Sequence, residues 1–191
     1  MIKILDNCCS PAYLDFLKLV AINSENWNLM YPPDKKLEDR FLKLNIQTTA
    51  GVHHPMLTGL AMGLLFQIHE AGGQGLFIPE IYWLGISIKD KHTKNNIHVD
   101  PIGEDKNVIK ILGIINSDWE ENWGGGFFHS GTSHYIKPTS FCIFDPTEPH
   151  ANEEIFTDKK RVAIDFTVFR DPLSLDEDKQ IFTKTNIEFQ A

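Results

Sequence analysis

The feature that most constrains this chain is a change of hydrophobic period near Gly75. Before it, apolar residues recur at helical spacing. Leu57, Leu60, Ala61, Leu64, Leu65 and Ile68 share one helix face, which predicts an amphipathic helix over about 55–71, ended by Ala71-Gly72-Gly73. A first helix is predicted from Ser10-Pro11 to about Ile22, with Ser as cap, Pro in the first turn and Leu14, Leu17 and Ala21 as its apolar stripe. Between the two, Pro32-Pro33 marks a turn, and residues 36–44 are expected to form a short helix. After Gly75, short runs rich in Ile, Val, Phe, Trp and Thr alternate with Gly, Pro, Asn and Asp. Strands are expected at 76–90, 96–100, 108–116, 125–130, 133–137, 140–145, 148–152 and 161–169.

Closely spaced short strands with turn signals point to two packed sheets, and helices that precede them should lie outside the β core. The expected architecture is mainly β with flanking α-helices around a double-stranded β-helix, or jelly roll. The 191 residues suit one domain, 1–191, divided into a mainly helical flank (1–75), a jelly-roll core (76–170) and a C-terminal tail (171–191) with a helix-like stretch at 174–183. The formal net charge of -8 argues against a generally basic nucleic-acid surface. The one basic concentration, Lys89, Lys91, His92 and Lys94, reads as a solvated loop. No apolar run approaches a membrane span, and the N-terminal stretch lacks the apolar region of a signal peptide, so a cytoplasmic protein is expected. Cys8, Cys9 and Cys142 fit no zinc spacing and read as reduced, structural thiols.

The chemistry starts at Ile97-His98-Val99-Asp100. On a strand, alternate side chains share a face, so His98 and Asp100 point together. His150 lies 50 residues after Asp100 in another strand-like run and offers a third ligand. Two histidines and one carboxylate on one side of a metal leave the opposite positions open, the facial arrangement of non-haem iron(II) sites. Alone, H-x-D arises often by chance. Arg161 adds weight. It opens a strand whose even positions are apolar, and it shares the other face with Ala163, Asp165 and Thr167. An inward arginine needs an anion, because an unpaired buried charge is costly, and a carboxylate matches its planar fork.

In this order the motifs resemble the 2-oxoglutarate/iron(II) dioxygenase superfamily, particularly its prolyl-hydroxylase-like branch. The resemblance covers about residues 82–169. It includes His98-Val99-Asp100 and His150, the apolar run Ile111 to Ile115 leading into Asn116 and Trp119, the element Trp123-Gly124-Gly125-Gly126, the Pro138 turn with the strand Phe141 to Asp145, and then Arg161. It implies iron(II) held by His98, Asp100 and His150, with 2-oxoglutarate as co-substrate held by Arg161. The implied reaction uses O2 to hydroxylate a substrate C–H bond while 2-oxoglutarate is decarboxylated to succinate. The implied substrate is a peptide or protein side chain of prolyl type, or a small molecule. The family often places a tyrosine on the central strand, where this chain reads Gly113-Ile114-Ile115. Ser87, Thr167 and Tyr82 are the hydroxyl-bearing alternatives. Because Asp100 is present, the pattern differs from a site that replaces the carboxylate ligand by halide.

Two other readings compete. One is a cupin-like metalloenzyme without 2-oxoglutarate, although such sites usually carry more histidines and a glutamate. The other is a metal-free β-sandwich binding module. Among the remaining residues, His53-His54 reads as a capping or surface pair. His129 and His134 flank a hairpin turn and are expected near the surface. Trp83, Trp119 and Trp123 are expected in packing, with Trp123 a candidate for the pocket mouth. Asp165, beside an anion site, would pair with Arg161, meet a cationic substrate or bind water.

Overall fold

A computed structural model of the chain describes residues 2–30, 40–93, 96–100 and 107–172. The elements in chain order are β1 (Ile2–Leu5), α1 (Pro11–Ile22), β2 (Asn28–Met30), β3 (Phe41–Thr48), β4 (Gly51–Val52) and α2 (Pro55–Ile68). They continue with β5 (Phe77–Lys89), β6 (Val108–Ile114), β7 (Phe127–His129), β8 (Thr132–His134), β9 (Phe141–Phe144), β10 (His150–Asn152) and β11 (Arg161–Arg170).

Helix α1 begins where the Ser10-Pro11 pair requires. The Ser10 side chain accepts a hydrogen bond from the Tyr13 backbone N–H, one of the donors a helix start leaves unsatisfied. Helix α2 ends in a π-helical turn, His69–Gly73, in which Gly72 takes φ 132. Residues 41–44, expected to be helical, are instead the start of β3. Leu44 and Ile46 are buried on one face while Phe41 and Lys43 occupy the other, a period of two that a helix cannot satisfy. The helix-like stretch at 174–183 and the Pro32-Pro33 turn lie outside the described residues.

The larger sheet runs in the order β1-β9-β6-β11-β5-β3-β2, with β4 paired to β3, and every pairing is antiparallel. The smaller sheet runs β10-β7-β8 and is extended by a bridge between His98 and His150. The chain therefore alternates between two facing antiparallel sheets, the jelly-roll arrangement. The outer face of the large sheet carries Leu44, Ile46, Leu84, Ile86, Ile109, Ile111, Val162, Ile164, Phe166 and Val168. These bury against Leu14, Leu17 and Ala21 of α1 and Leu57, Ala61, Leu64, Leu65 and Ile68 of α2. Both helices thus cover one face of the sheet, and the inner face is left to the site. Between the sheets, Leu112, Phe127, Ile136, Cys142, Phe144 and Ala163 form a second, smaller core. Cys8 and Cys142 are buried thiols, and burial pushes Cys142 up to about 12. Among the described residues no helix is long and apolar enough to cross a membrane.

Candidate metal and anion site

His98 and His150 face each other across the short bridge. The His98 backbone N–H donates to the His150 carbonyl at 3.0 Å, and the His150 N–H donates back at 2.9 Å. Directly opposed residues of an antiparallel pair share a face, so this register alone brings the imidazoles together, with ring centroids 4.5 Å apart. The Asp100 N–H donates to the Pro146 carbonyl at 2.9 Å, which prolongs the pairing and returns the carboxylate to the same side two residues on. One ligand atom from each of His98, Asp100 and His150 lies within 4.8 Å of the others. The carboxylate oxygens stand 3.8 Å from His98 Nε2 and 3.7 Å from His150 Nε2.

The outer contacts decide which ring nitrogens point inward. His98 Nδ1 lies 2.9 Å from the Asn96 carbonyl, and His150 Nδ1 lies 2.8 Å from the Glu148 carbonyl. A carbonyl can only accept, so each Nδ1 carries the proton and each Nε2 presents its lone pair to the centre. Burial lowers the His150 pKa, which favours the neutral form that ligates. For Asp100, burial alone would raise the pKa. The adjacent Lys110 ammonium and the two imidazoles together outweigh it and hold the carboxyl below the usual range.

Lys110 is an unanticipated part of this centre. Its Nζ lies 2.8 Å from Asp100 Oδ2 and 2.8 Å from Asp165 Oδ2. The Asp165 contact is an aligned hydrogen bond, whereas Asp100 Oδ2 has no hydrogen-bond partner among the described residues, so its contact is a plain ion pair. Asp165 therefore pairs with Lys110 and not with Arg161. The two lie four positions apart on β11, a separation of about 13 Å at the rise of a strand.

Arg161 is 1 % exposed, and none of its three guanidinium nitrogens has a hydrogen-bond partner among the described residues. Burial pushes its pKa down to about 10. The Gly124-Gly125 segment covers it. Gly125 has φ 70, and a Cβ there would stand 2.8 Å from Arg161 Cδ, so only glycine lets the backbone lie against this side chain. Ile155 lies against the same Gly125 and packs with Ile114 and Trp119, and the Trp119 indole N–H donates to the Gly124 carbonyl at 2.9 Å.

Beside the triad opens a cavity of about 530 Å³. Ser87, His98, Asp100, Lys110 and Asp165 line it, together with Trp83 and with Lys43, which the sequence did not single out. Trp83 lies across Gly85, where a Cβ would come within 2.4 Å of the ring. Trp83 thus packs on the sheet, as expected, and also walls the cavity. Trp123 meets Trp119 edge-on at 5.5 Å and carries Lys159 on its face, outside the cavity lining. Thr167 is buried six positions from Arg161, about 20 Å along the strand, while Ser87 pairs with Ala163 in the next inward row. Tyr82 packs edge-on against Phe169 and does not line the cavity.

Two further expectations are corrected. Lys89, read as part of a solvated loop, is 9 % exposed and ends β5 on its inner face. His129, expected near the surface, is buried because it pairs in register with His150 and so shares its inward face, where it meets Glu148 at 2.9 Å. His54 precedes α2 without a side-chain cap, and His53 Nε2 instead contacts Thr48 Oγ1 at 2.9 Å on the surface.

No family model matches the chain, and no curated protein does. Solved structures do. A Pseudomonas putida prolyl-4-hydroxylase superposes with a TM-score of 0.59 at 14 % identity, covering 89 % of this chain and 93 % of that one. SnoN, a non-haem α-ketoglutarate-dependent epimerase of nogalamycin biosynthesis, gives 0.66 at 9 % identity over 88 % and 78 %. HygX from Streptomyces hygroscopicus, with nickel and 2-oxoglutarate bound, gives 0.62 at 8 % identity over 87 % and 81 %. With identities this low the likeness is one of fold, and the chain has the jelly-roll fold seen in these 2-oxoglutarate-dependent oxygenases.

Proposed function

We propose that the protein is an iron(II)- and 2-oxoglutarate-dependent oxygenase in which His98, Asp100 and His150 hold the metal and Arg161 holds the co-substrate. The observation that carries this reading is a pair: a two-histidine, one-carboxylate cluster with both Nε2 lone pairs directed inward, and a fully buried arginine whose guanidinium lacks a protein partner. The cluster fits a divalent ion of the iron type, and the arginine fits a carboxylate.

Bound iron(II) and 2-oxoglutarate would supply activation of O2 coupled to decarboxylation of the co-substrate to succinate. The chain's own residues bind, orient and shield. His98 and His150 are fixed in one tautomer by the Asn96 and Glu148 carbonyls. Lys110 balances Asp100 and keeps it ionised. Arg161 would take the far carboxylate in a two-pronged contact, with Ser87 the hydroxyl placed to assist and Thr167 set aside by distance. Apolar Leu112 and Ala163, on the inner faces of β6 and β11, help exclude water from the space between. Likeness to prolyl hydroxylases favours hydroxylation of a peptide or protein side chain, and likeness to the epimerase SnoN keeps other outcomes of hydrogen removal in view.

Anaerobic titration of iron(II)-loaded protein with 2-oxoglutarate tests the reading. A metal-to-ligand absorption band should appear and saturate, and on admission of air succinate should form only when 2-oxoglutarate is present. A cupin-like enzyme would bind metal without producing the band. A binding module would bind no metal at this cluster.

A further inference from the structure

Asp100 is placed so that it could offer a metal both of its oxygens. Its Oδ1 stands 3.8 Å from His98 Nε2 and its Oδ2 3.7 Å from His150 Nε2, so each imidazole faces a different oxygen of the one carboxylate. A carboxylate ligand binds through one oxygen or chelates through both. Chelation would fill one of the positions that two histidines and a single carboxylate oxygen leave open. Lys110 makes the two oxygens unequal, because its Nζ lies 2.8 Å from Asp100 Oδ2.

The lysine is held in place by the large sheet. Strand β6 lies between β9 and β11, and Lys110 is opposed in register by Phe144 and Thr167, both buried. Directly opposed side chains lie alongside one another, which leaves the aliphatic stem little freedom, and the side chain is 12 % exposed. Asp165 sits two residues from Thr167 on the same face of β11, and its Oδ2 accepts a hydrogen bond from Nζ at 2.8 Å. That bond aims the ammonium and cancels its charge. The Lys110–Asp165 pair is neutral as a unit, so Asp100 keeps its negative charge for a cation while its Oδ2 is engaged. This accounts for an inward aspartate on the same strand as Arg161.

We propose that Lys110 is a positioning residue: braced by Asp165, it engages Asp100 Oδ2 and restricts Asp100 to one-oxygen ligation through Oδ1. This rests on the oxygenase reading above and adds to it a reason why the metal keeps room for a chelating co-substrate together with O2. Charge balance alone does not describe the role, since removing Lys110 and Asp165 together leaves the local charge unchanged yet frees Oδ2 to chelate.

Manganese(II) on the full chain is the probe. Water-proton relaxation counts the exchangeable waters on the bound ion. One-oxygen ligation by Asp100 leaves about three on a six-coordinate ion and chelation about two. In the charge-balanced variant Lys110→Met, Asp165→Leu the relaxation enhancement should therefore fall by about one third, with manganese bound no more than about three-fold more weakly than by wild type. 2-Oxoglutarate, followed by its displacement of the waters, should bind that variant about ten-fold or more weakly. A merely structural role would weaken metal binding without lowering the water count. A water count equal to that of wild type overturns the proposal. A second measurement needs no variant. In zinc-loaded wild type carrying isotope-labelled aspartate, the infrared difference against metal-free protein should show widely separated carboxylate stretches, the mark of one-oxygen ligation. A closely spaced pair, the mark of chelation, overturns the proposal as well. Failure of the oxygenase reading looks different: wild type would then show no manganese enhancement that His98→Ala abolishes, and the positioning role would fall with it.

Discussion

Arg161→Met should do two opposite things. The side chain it replaces is charged, 1 % exposed and without a hydrogen-bond partner among the described residues, and burial depresses its pKa from the ordinary value to about 10. That depression corresponds to about 3 kcal/mol against the charged form. Because the folded-state pKa of a base is lowered, the penalty is fully present at every pH below about 10 and is relieved only above it, so it should be constant from pH 6 to 9. Methionine keeps much of the aliphatic volume beneath Gly125 and removes the charge. After roughly 1 kcal/mol for imperfect packing, the metal-free, co-substrate-free variant should be more stable than wild type by about 2 kcal/mol, within the range seen when buried charges are replaced by apolar residues. The co-substrate should reverse the ranking. At one hundred times its Kd, 2-oxoglutarate stabilises metal-loaded wild type by about 2.7 kcal/mol. Loss of the charge-assisted contact should weaken binding about ten- to a hundred-fold and cut that gain to about 0.4–1.4 kcal/mol. Urea unfolding with and without 2-oxoglutarate, on protein loaded with zinc to avoid turnover, measures both effects. A variant that is clearly less stable alone yet equally stabilised by 2-oxoglutarate would refute the reasoning, because Arg161 would then be serving a structural partner and not an anion.

Other perturbations separate the remaining roles. His98→Ala and His150→Ala should each weaken divalent-metal binding by more than the roughly 10–100-fold typical of losing an outer partner, measured by calorimetry with manganese. Lys110→Met leaves Asp100 and Asp165 facing each other unbalanced and should destabilise the metal-free protein by about 3–5 kcal/mol. The double variant Lys110→Met, Asp165→Leu should recover part of that loss in the same urea assay. Lys89 gives a pH signature. Its folded-state pKa is lowered to about 7, so its burial penalty is fully present below pH 7 and is relieved as the pH rises towards the ordinary lysine value. The stability advantage of Lys89→Met over wild type should therefore shrink from pH 6.5 to 9 by about 1 kcal/mol per pH unit, and a pH-independent difference would count against the assignment.

Much of the site could be read from local pattern, and the part that could not has one physical cause. The alternation in His98-Val99-Asp100 and in Arg161-Val162-Ala163-Ile164-Asp165 shows which side chains share a face, because the period of a strand is two whatever its neighbours. The apolar even positions of β11 even identify the outward face, which the structure covers with α1 and α2. Helix α1 was legible from its cap and α2 from its stripe, since both signals are local. Residues 41–44 were misread because Lys36 to Leu44 offers charged residues at helical spacing, and only pairing with β5 shows Leu44 and Ile46 as one buried face. Strand register is a non-local quantity, and so is everything that depends on it. The sequence by itself determined that His150 and Arg161 stand on strands of a β-rich unit and that His98 and Asp100 share a face, although the strand expected over 96–100 is reduced to a single bridge at His98. The tertiary structure alone decided that His98 opposes His150, that His129 shares their buried face, and that Lys110 joins Asp100 to Asp165. It also decided that Lys43 and Trp83 wall the cavity, because those contacts join residues tens of positions apart whose local sequence carries no record of the partner across the sheet.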